Sequence, residues 1–264
     1  LRDTRGVDLG DLDRFNHFPA TPLASISYVH AGQLCLVPQG AGLAQAPHAP
    51  ALPTLFANPP HPDPVTSWSP GPVAAITVAF YPEAWAKLAQ ADAGKAVFAI
   101  LQTAFAEWGG ECGAEWRTDS PAELMWHGFC RALDPFWQAA RGPDKSTEWI
   151  GSDRLSDWSR SVLARAAIAG PGRSVRALER RIKRISGQTA RQLRFFASIE
   201  ALHQLSIQHP GASLAGLAND GGYADQSHMG RAVQRATGFS PARLNRLIET
   251  QEPFWGYRLL GERF

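Results

Sequence analysis

Residues 163–193 and 214–244 carry the same pattern of small, apolar, basic and turn residues, offset by 51 positions. Ala164 falls on Ala215, Ala167 on Ala218 and Gly170 on Gly221. Ser174 falls on Asp225, Leu178 on Met229, Arg180 on Arg231 and Ile182 on Val233, and Arg184 then meets Arg235 and Gly187 meets Gly238. Each copy reads as a short Ala-rich helix, a glycine-bearing turn, a capped helix with arginines and a glycine stop. The fold must therefore accommodate two helix-turn-helix units in tandem.

The second copy has the clearer punctuation. Ser213 is placed to cap a helix over 214–219, and Gly221-Gly222 suits a tight interhelical turn. Asp225 is an N-cap for the next helix, Gly238 its stop, and Ser240-Pro241 the opening of another. Met229 and Val233 share one face at i, i+4 spacing, which leaves Gln226, Ser227, His228, Arg231 and Arg235 on other faces. In the first copy Ser174 caps a helix through Ser186, with Leu178, Ile182 and Ile185 as its apolar stripe. Arg176, Glu179, Arg180, Arg181, Lys183 and Arg184 fill the rest. Its turn, Gly170-Pro171-Gly172, is less regular. An arginine-bearing amphipathic helix is ordinary by itself, but caps, stops, cations and core residues recurring in register point to DNA.

Gly222-Tyr223-Ala224-Asp225-Gln226-Ser227-His228-Met229-Gly230-Arg231, followed by Thr237-Gly238-Phe239-Ser240-Pro241, resembles the signature of AraC-type transcriptional regulators. The resemblance covers residues 155–250. It implies two helix-turn-helix units joined by a long helix, here over 190–207 with Leu193, Phe196, Leu202 and Leu205 on or near one face. It also implies that side chains near the start of each recognition helix enter adjacent major-groove segments. By position these are Arg176, Glu179 and Arg180 in the first helix, and Gln226, Ser227, His228 and Arg231 in the second. Lys183, Arg184 and Arg235, further along, are expected on phosphates. Gly230 stands where a larger polar residue is common in the family, and Val233 where an aromatic is usual, so the second unit is expected to read fewer bases or pack less tightly.

Charge divides the chain in the same way. Residues 154–250 hold 15 Lys/Arg against 6 Asp/Glu, a net of +9, whereas residues 1–153 hold 9 against 16, a net of −7. A polyanion is attracted to the first and repelled by the second, with an affinity that falls as salt rises.

Before residue 81 the apolar runs are short: Leu23–Val29, Gln33–Val37, Leu52–Ala57 and Val73–Phe80. Proline and glycine clusters separate them, including Asn58-Pro59-Pro60-His61-Pro62-Asp63-Pro64, which favours a small β-sheet or barrel. Helices are expected over Pro82–Gln90 and from Ser120-Pro121-Ala122-Glu123 to Leu133 or Ala140, with Gly142–Asp153 as a hinge. The expected fold class is thus α+β: an N-terminal β-rich domain with helices over 1–150, and an all-α DNA-binding domain with a C-terminal tail over 151–264. Two shorter stretches, His17-Phe18-Pro19-Ala20 and Val78-Ala79-Phe80-Tyr81-Pro82, extend the resemblance into the front half. There it implies ligand sensing, self-association, or both.

Little favours other chemistry. His17, His30, His48 and His61 surround the β-rich segment but show no compact ligand spacing, so no metal and no cofactor is expected. Cys35, Cys112 and Cys130 form no close pair, which suits a reducing, cytoplasmic setting. No apolar run approaches a membrane span. Trp68, Trp85, Trp108, Trp116, Trp126 and Trp137 could line an apolar ligand pocket, although core packing is the more ordinary use of any one of them. The expected partners are double-stranded DNA, a small-molecule effector, a second copy of the chain and the transcription machinery, with no enzymatic activity. The competing reading is a sensor or small enzyme whose helical half docks a protein partner.

Overall fold

The computed structural model describes residues 2–89, 121–141, 154–170 and 174–259. Among the described residues, seven strands form two antiparallel sheets. One has the order β1 (Arg2–Asp3), β7 (Ala74–Phe80), β3 (Ala24–Ala31), β5 (Leu55–Asn58). The other has the order β2 (Phe15–Phe18), β6 (Val65–Trp68), β4 (Cys35–Val37). The four apolar runs of the front half each contribute a strand, whereas β1, β2 and β6 are additions. Their alternation is short and their partners are distant in sequence, as in the pairing of Phe15 with Trp68 and of Phe18 with Val65.

Helix α1 (Pro82–Ala89) follows β7, and α2 (Pro121–Arg141) covers the first sheet. Phe129 on α2 packs with Ile26, Tyr28, Leu55 and Ile76, the inward residues of β3, β5 and β7, and Trp85 joins them from α1. Helix α2 runs one residue past Ala140, with Pro135 inside it. The second sheet has its own small core of Phe15, Val37, Ala46 and Trp68, so Trp68 is core rather than pocket lining. Gly142–Asp153, Cys112, Trp108 and Trp116 lie outside the described residues.

The other described helices are α3 (Leu155–Ile168), α4 (Val175–Ser186), α5 (Ala190–Gln208), α6 (Leu214–Asp220), α7 (Gln226–Thr237), α8 (Pro241–Thr250) and α9 (Trp255–Leu259). Helix α5 matches the expected linker to within a residue and belongs to two cores. Its N-terminal half contributes Ala190 and Leu193 to a cluster with Trp158, Val162, Ala166 and Ile182. Its C-terminal half gives Leu202 to a cluster with Leu217, Met229, Val233, Leu244 and Ile248. Val233 is fully enclosed, so the missing aromatic leaves it no less buried. Among the described residues, no helix is long and apolar enough to cross a membrane, and no group of His, Cys, Asp or Glu is arranged to hold a metal.

Candidate nucleic-acid interface

The offset of 51 governs hydrogen bonding as well as composition. At the start of α4, Ser174 Oγ accepts from the Ala177 amide at 3.3 Å; at the start of α7, Asp225 Oδ1 accepts from His228 at 2.6 Å. These caps satisfy N–H groups that a helix cannot pair internally. Both helices end on a left-handed glycine, Gly187 at φ 69° and Gly238 at φ 85°. Beside each glycine is a buried hydroxyl with the same two bonds. Ser186 Oγ donates to the Ile182 carbonyl and accepts from the Gln188 amide, and Thr237 Oγ1 donates to Val233 and accepts from Phe239. Ser186 and Thr237 are a repeat pair that a reading of apolar and charged positions passes over.

Other contacts fix the units to the linker. Glu200 of α5 accepts from the Leu155 and Ser156 amides at 2.7 and 2.8 Å, which caps α3 from outside. Thr189 and Gln192 form a capping box at the start of α5. Arg181 donates to the carbonyls of Ala166 and Gly170, closing the first interhelical turn, so this arginine is structural. In the second unit the Tyr223 hydroxyl donates to Ser198 Oγ at 3.4 Å, and burial raises its pKa.

With the cores filled by Leu178, Ile182, Met229 and Val233, the polar faces of α4 and α7 are left outside. Arg176, Arg180, Lys183 and Arg184 are exposed on α4; Gln226, Ser227, His228, Arg231 and Arg235 are exposed on α7. Among the described residues, Arg176, Arg180, Lys183, Arg184 and Arg231 have no ion-pair partner. Three candidates have protein partners. Glu179 is half-buried and its carboxylate accepts from the Ala190 amide at 3.5 Å. His228 Nδ1 accepts from the Ala224 amide at 3.4 Å while its ring meets the edge of Tyr223. The Arg235 guanidinium lies 4.5 Å over the Phe195 ring, tying α7 to the linker. Val175, not among the candidates, is 76% exposed at the first position of α4. Its repeat partner is Gln226, so the two helices open with different chemistry.

The front half grips this domain at both units. Glu83 on α1 pairs with Arg165 on α3 at 2.7 Å, and Tyr81 packs on Trp158. At the other unit the Ala20 amide donates to the Ala236 carbonyl at 2.7 Å. The segment after α8 completes that second joint. Trp255 Nε1 donates to Asn16 Oδ1 at 2.8 Å, Arg2 pairs with Glu252 at 2.5 Å, and Arg2 also lies over the Trp255 ring. Phe254 stacks on His17 with ring centroids 4.7 Å apart. No feature of the sequence marked this tail, because its aromatic residues acquire their roles only by packing on β2 and on the core of the second unit.

A helix-turn-helix domain model matches residues 169–246. A comparison with curated proteins finds no match. Among solved structures the chain is similar to ToxT from Vibrio cholerae, at 8% identity and a TM-score of 0.40 over 87% of this chain and 93% of that one. It is similar to ToxT bound to (E)-4-(8-methylnaphthalen-1-yl)but-3-enoic acid at 10% identity and a TM-score of 0.38, over 87% and 94%. For ToxT bound to an unsaturated fatty acid the values are 11% and 0.34, over 87% and 93%. At these identities and scores the likeness is no warrant for function. The duplicated caps, stops and exposed cations, together with the domain match, lead to one conclusion: the chain carries, at residues 169–246, a DNA-binding helix-turn-helix domain of the AraC type.

Proposed function

We propose that this chain is a sequence-specific transcriptional regulator in which α4 and α7 enter successive major-groove segments. The observation that carries this reading is the duplicated unit itself: two helices with the same caps and stops, each presenting unpaired polar groups outward. Arg176, Glu179 and Arg180 then face bases in one segment, and Gln226, Ser227, His228 and Arg231 in the next. Arginine suits guanine O6 and N7, glutamine suits adenine N6 and N7, and a carboxylate accepts from cytosine N4. Lys183, Arg184 and Arg235 hold phosphates, which position the protein without reading sequence. The division near residue 150 separates this domain from an acidic front half that responds to a small-molecule effector or a second copy of the chain. An effector acts there only through different affinities for two arrangements of the protein.

Selection of genomic fragments by the purified chain, with binding to the recovered site at two salt concentrations, tests the reading. The expected result is one motif spanning two adjacent segments, with steep salt dependence. Arg180→Ala and Gln226→Ala should each weaken specific binding by about 1–3 kcal/mol, relax the base preference at one position, and leave the unfolding midpoint unchanged. Salt-sensitive binding without an enriched motif would reduce the domain to a basic surface.

A further inference from the structure

Val175 begins α4 and Gln226 begins α7, at matched positions of the repeat. Each follows a capping residue, Ser174 or Asp225, whose side chain accepts from the amide three residues on. Each also stands three and seven residues before the apolar stripe of its helix, Leu178 and Ile182 in α4, Met229 and Val233 in α7. Ile182, Met229 and Val233 are enclosed, yet both first positions are outside: Gln226 is exposed and Val175 is 76% exposed. A helical Cβ is tilted toward the helix N-terminus, so both side chains project past the first turn, toward whatever that end of the helix meets.

The surroundings of Val175 suit a polyanion. Arg176 follows it and Arg180 stands just over one turn on, both exposed. The first turn of α4 carries no acidic residue and its cap is the neutral Ser174, so the partial positive charge of this helix end is not cancelled within the helix. Valine itself has no hydrogen-bonding group and can bind neither a phosphate nor the polar edge of a base. Of the groups that base pairs present in the major groove, the thymine C5-methyl is the apolar one. Covering that methyl removes apolar surface from water on both partners. Branching at Cβ already restricts the valine methyls to few rotamers, so little side-chain freedom is lost on contact.

We infer that Val175 is a specificity-determining residue that selects thymine by packing on its C5-methyl, at the base pair facing the start of α4. The inference rests on the reading that α4 enters the major groove, and it adds a base-reading side chain to Arg176, Glu179 and Arg180. At the matched place in the other segment, Gln226 suits adenine N6 and N7. The two segments of the site therefore differ at one equivalent position, thymine before α4 and adenine before α7. Two units that share caps, stops and core are thereby kept from reading the same sequence.

The test uses the full chain and the site recovered by selection, with each thymine on either strand replaced in turn by deoxyuridine, which pairs alike and lacks only the methyl group. The wild-type protein should lose about fourfold in affinity at one of these thymines, which is what burying one methyl group contributes. The loss should be equal at two salt concentrations, because a contact without charge releases no counterions. Val175→Ala should bind the unmodified site about fourfold more weakly, with the salt slope and the unfolding midpoint unchanged, and its loss at that same thymine should fall below about twofold. Val175→Gln should move the preference at that base pair from thymine to adenine. A recovered site without thymine, wild-type indifference to every deoxyuridine, losses that Val175→Ala leaves in full at every position, or a thymine preference kept by Val175→Gln overturns this inference alone. No wild-type binding to any selected site overturns the regulator reading as well.

Discussion

Phe254→Ala lowers the unfolding free energy by about 3–5 kcal/mol, the range for truncating a fully buried phenylalanine. Phe254 is 1% exposed and belongs to the core built by Leu202, Met229, Val233 and Leu244. Its ring also meets Phe239 at 5.3 Å, Tyr257 at 5.8 Å and, across the joint, His17 at 4.7 Å. The lost contacts therefore fall on both sides. On one side a cavity opens under α8, and on the other His17 loses its stacking partner while Trp255 and Arg2 lose their support. Urea unfolding followed by tryptophan fluorescence checks this: the midpoint should fall, and one transition should split into two as the halves uncouple. A loss below about 1 kcal/mol would mean that the site collapses around the smaller side chain and that the tail is not a structural part of the second unit.

This residue also shows where sequence reasoning ends. The helices of the DNA-binding domain were legible because their signals are local. Ser174, Asp225, Gly187 and Gly238 each act within a few residues, and a helix announces its buried face by its own period. Repetition then turned weak local signals into one specific reading. The strands of the front half depend on partners far along the chain. Val73–Phe80 was legible because it is long and apolar, but Phe15–Phe18 and Val65–Trp68 are four residues each and acquire their pattern only when paired. Phe254 and Trp255 were further out of reach. They follow the last helix-turn-helix helix, carry no motif, and find their partners only when the tail folds back between β2 and the second unit. Likewise Glu179 and His228 read as base contacts by position, while the fold gives each a protein partner that their spacing does not reveal.

The same joint contains a strongly perturbed histidine, His17, and its protonation should govern acid stability. His17 lies between Phe254 and Phe239 with Phe15 behind it, and its Nδ1 is 3.1 Å from Thr66 Oγ1. Neutral imidazole fits this setting, whereas imidazolium is left without the water that stabilises it. Burial accordingly lowers its pKa from 6.5 to about 4. A base whose folded pKa is depressed binds its proton first in the unfolded chain. Its contribution to stability is complete above pH 6.5, declines as pH falls from 6.5 to about 4, and is flat below that. The shift corresponds to about 3 kcal/mol over the window. The charges facing the joint are Arg243, which lies over Phe239, and Arg2, which pairs with Glu252 and lies over the Trp255 ring. Urea midpoints measured from pH 8 to pH 4 should therefore fall, and His17→Gln, which keeps a polar group near Thr66 but cannot take up a proton, should flatten that part of the curve. A His17→Gln protein with the full wild-type slope would place the acid sensitivity in other groups and leave His17 as packing alone. Because the ring is held by Phe254, the Phe254→Ala protein should lose much of the same slope: with its stacking partner gone, His17 gains water and titrates nearer its ordinary value in the folded state.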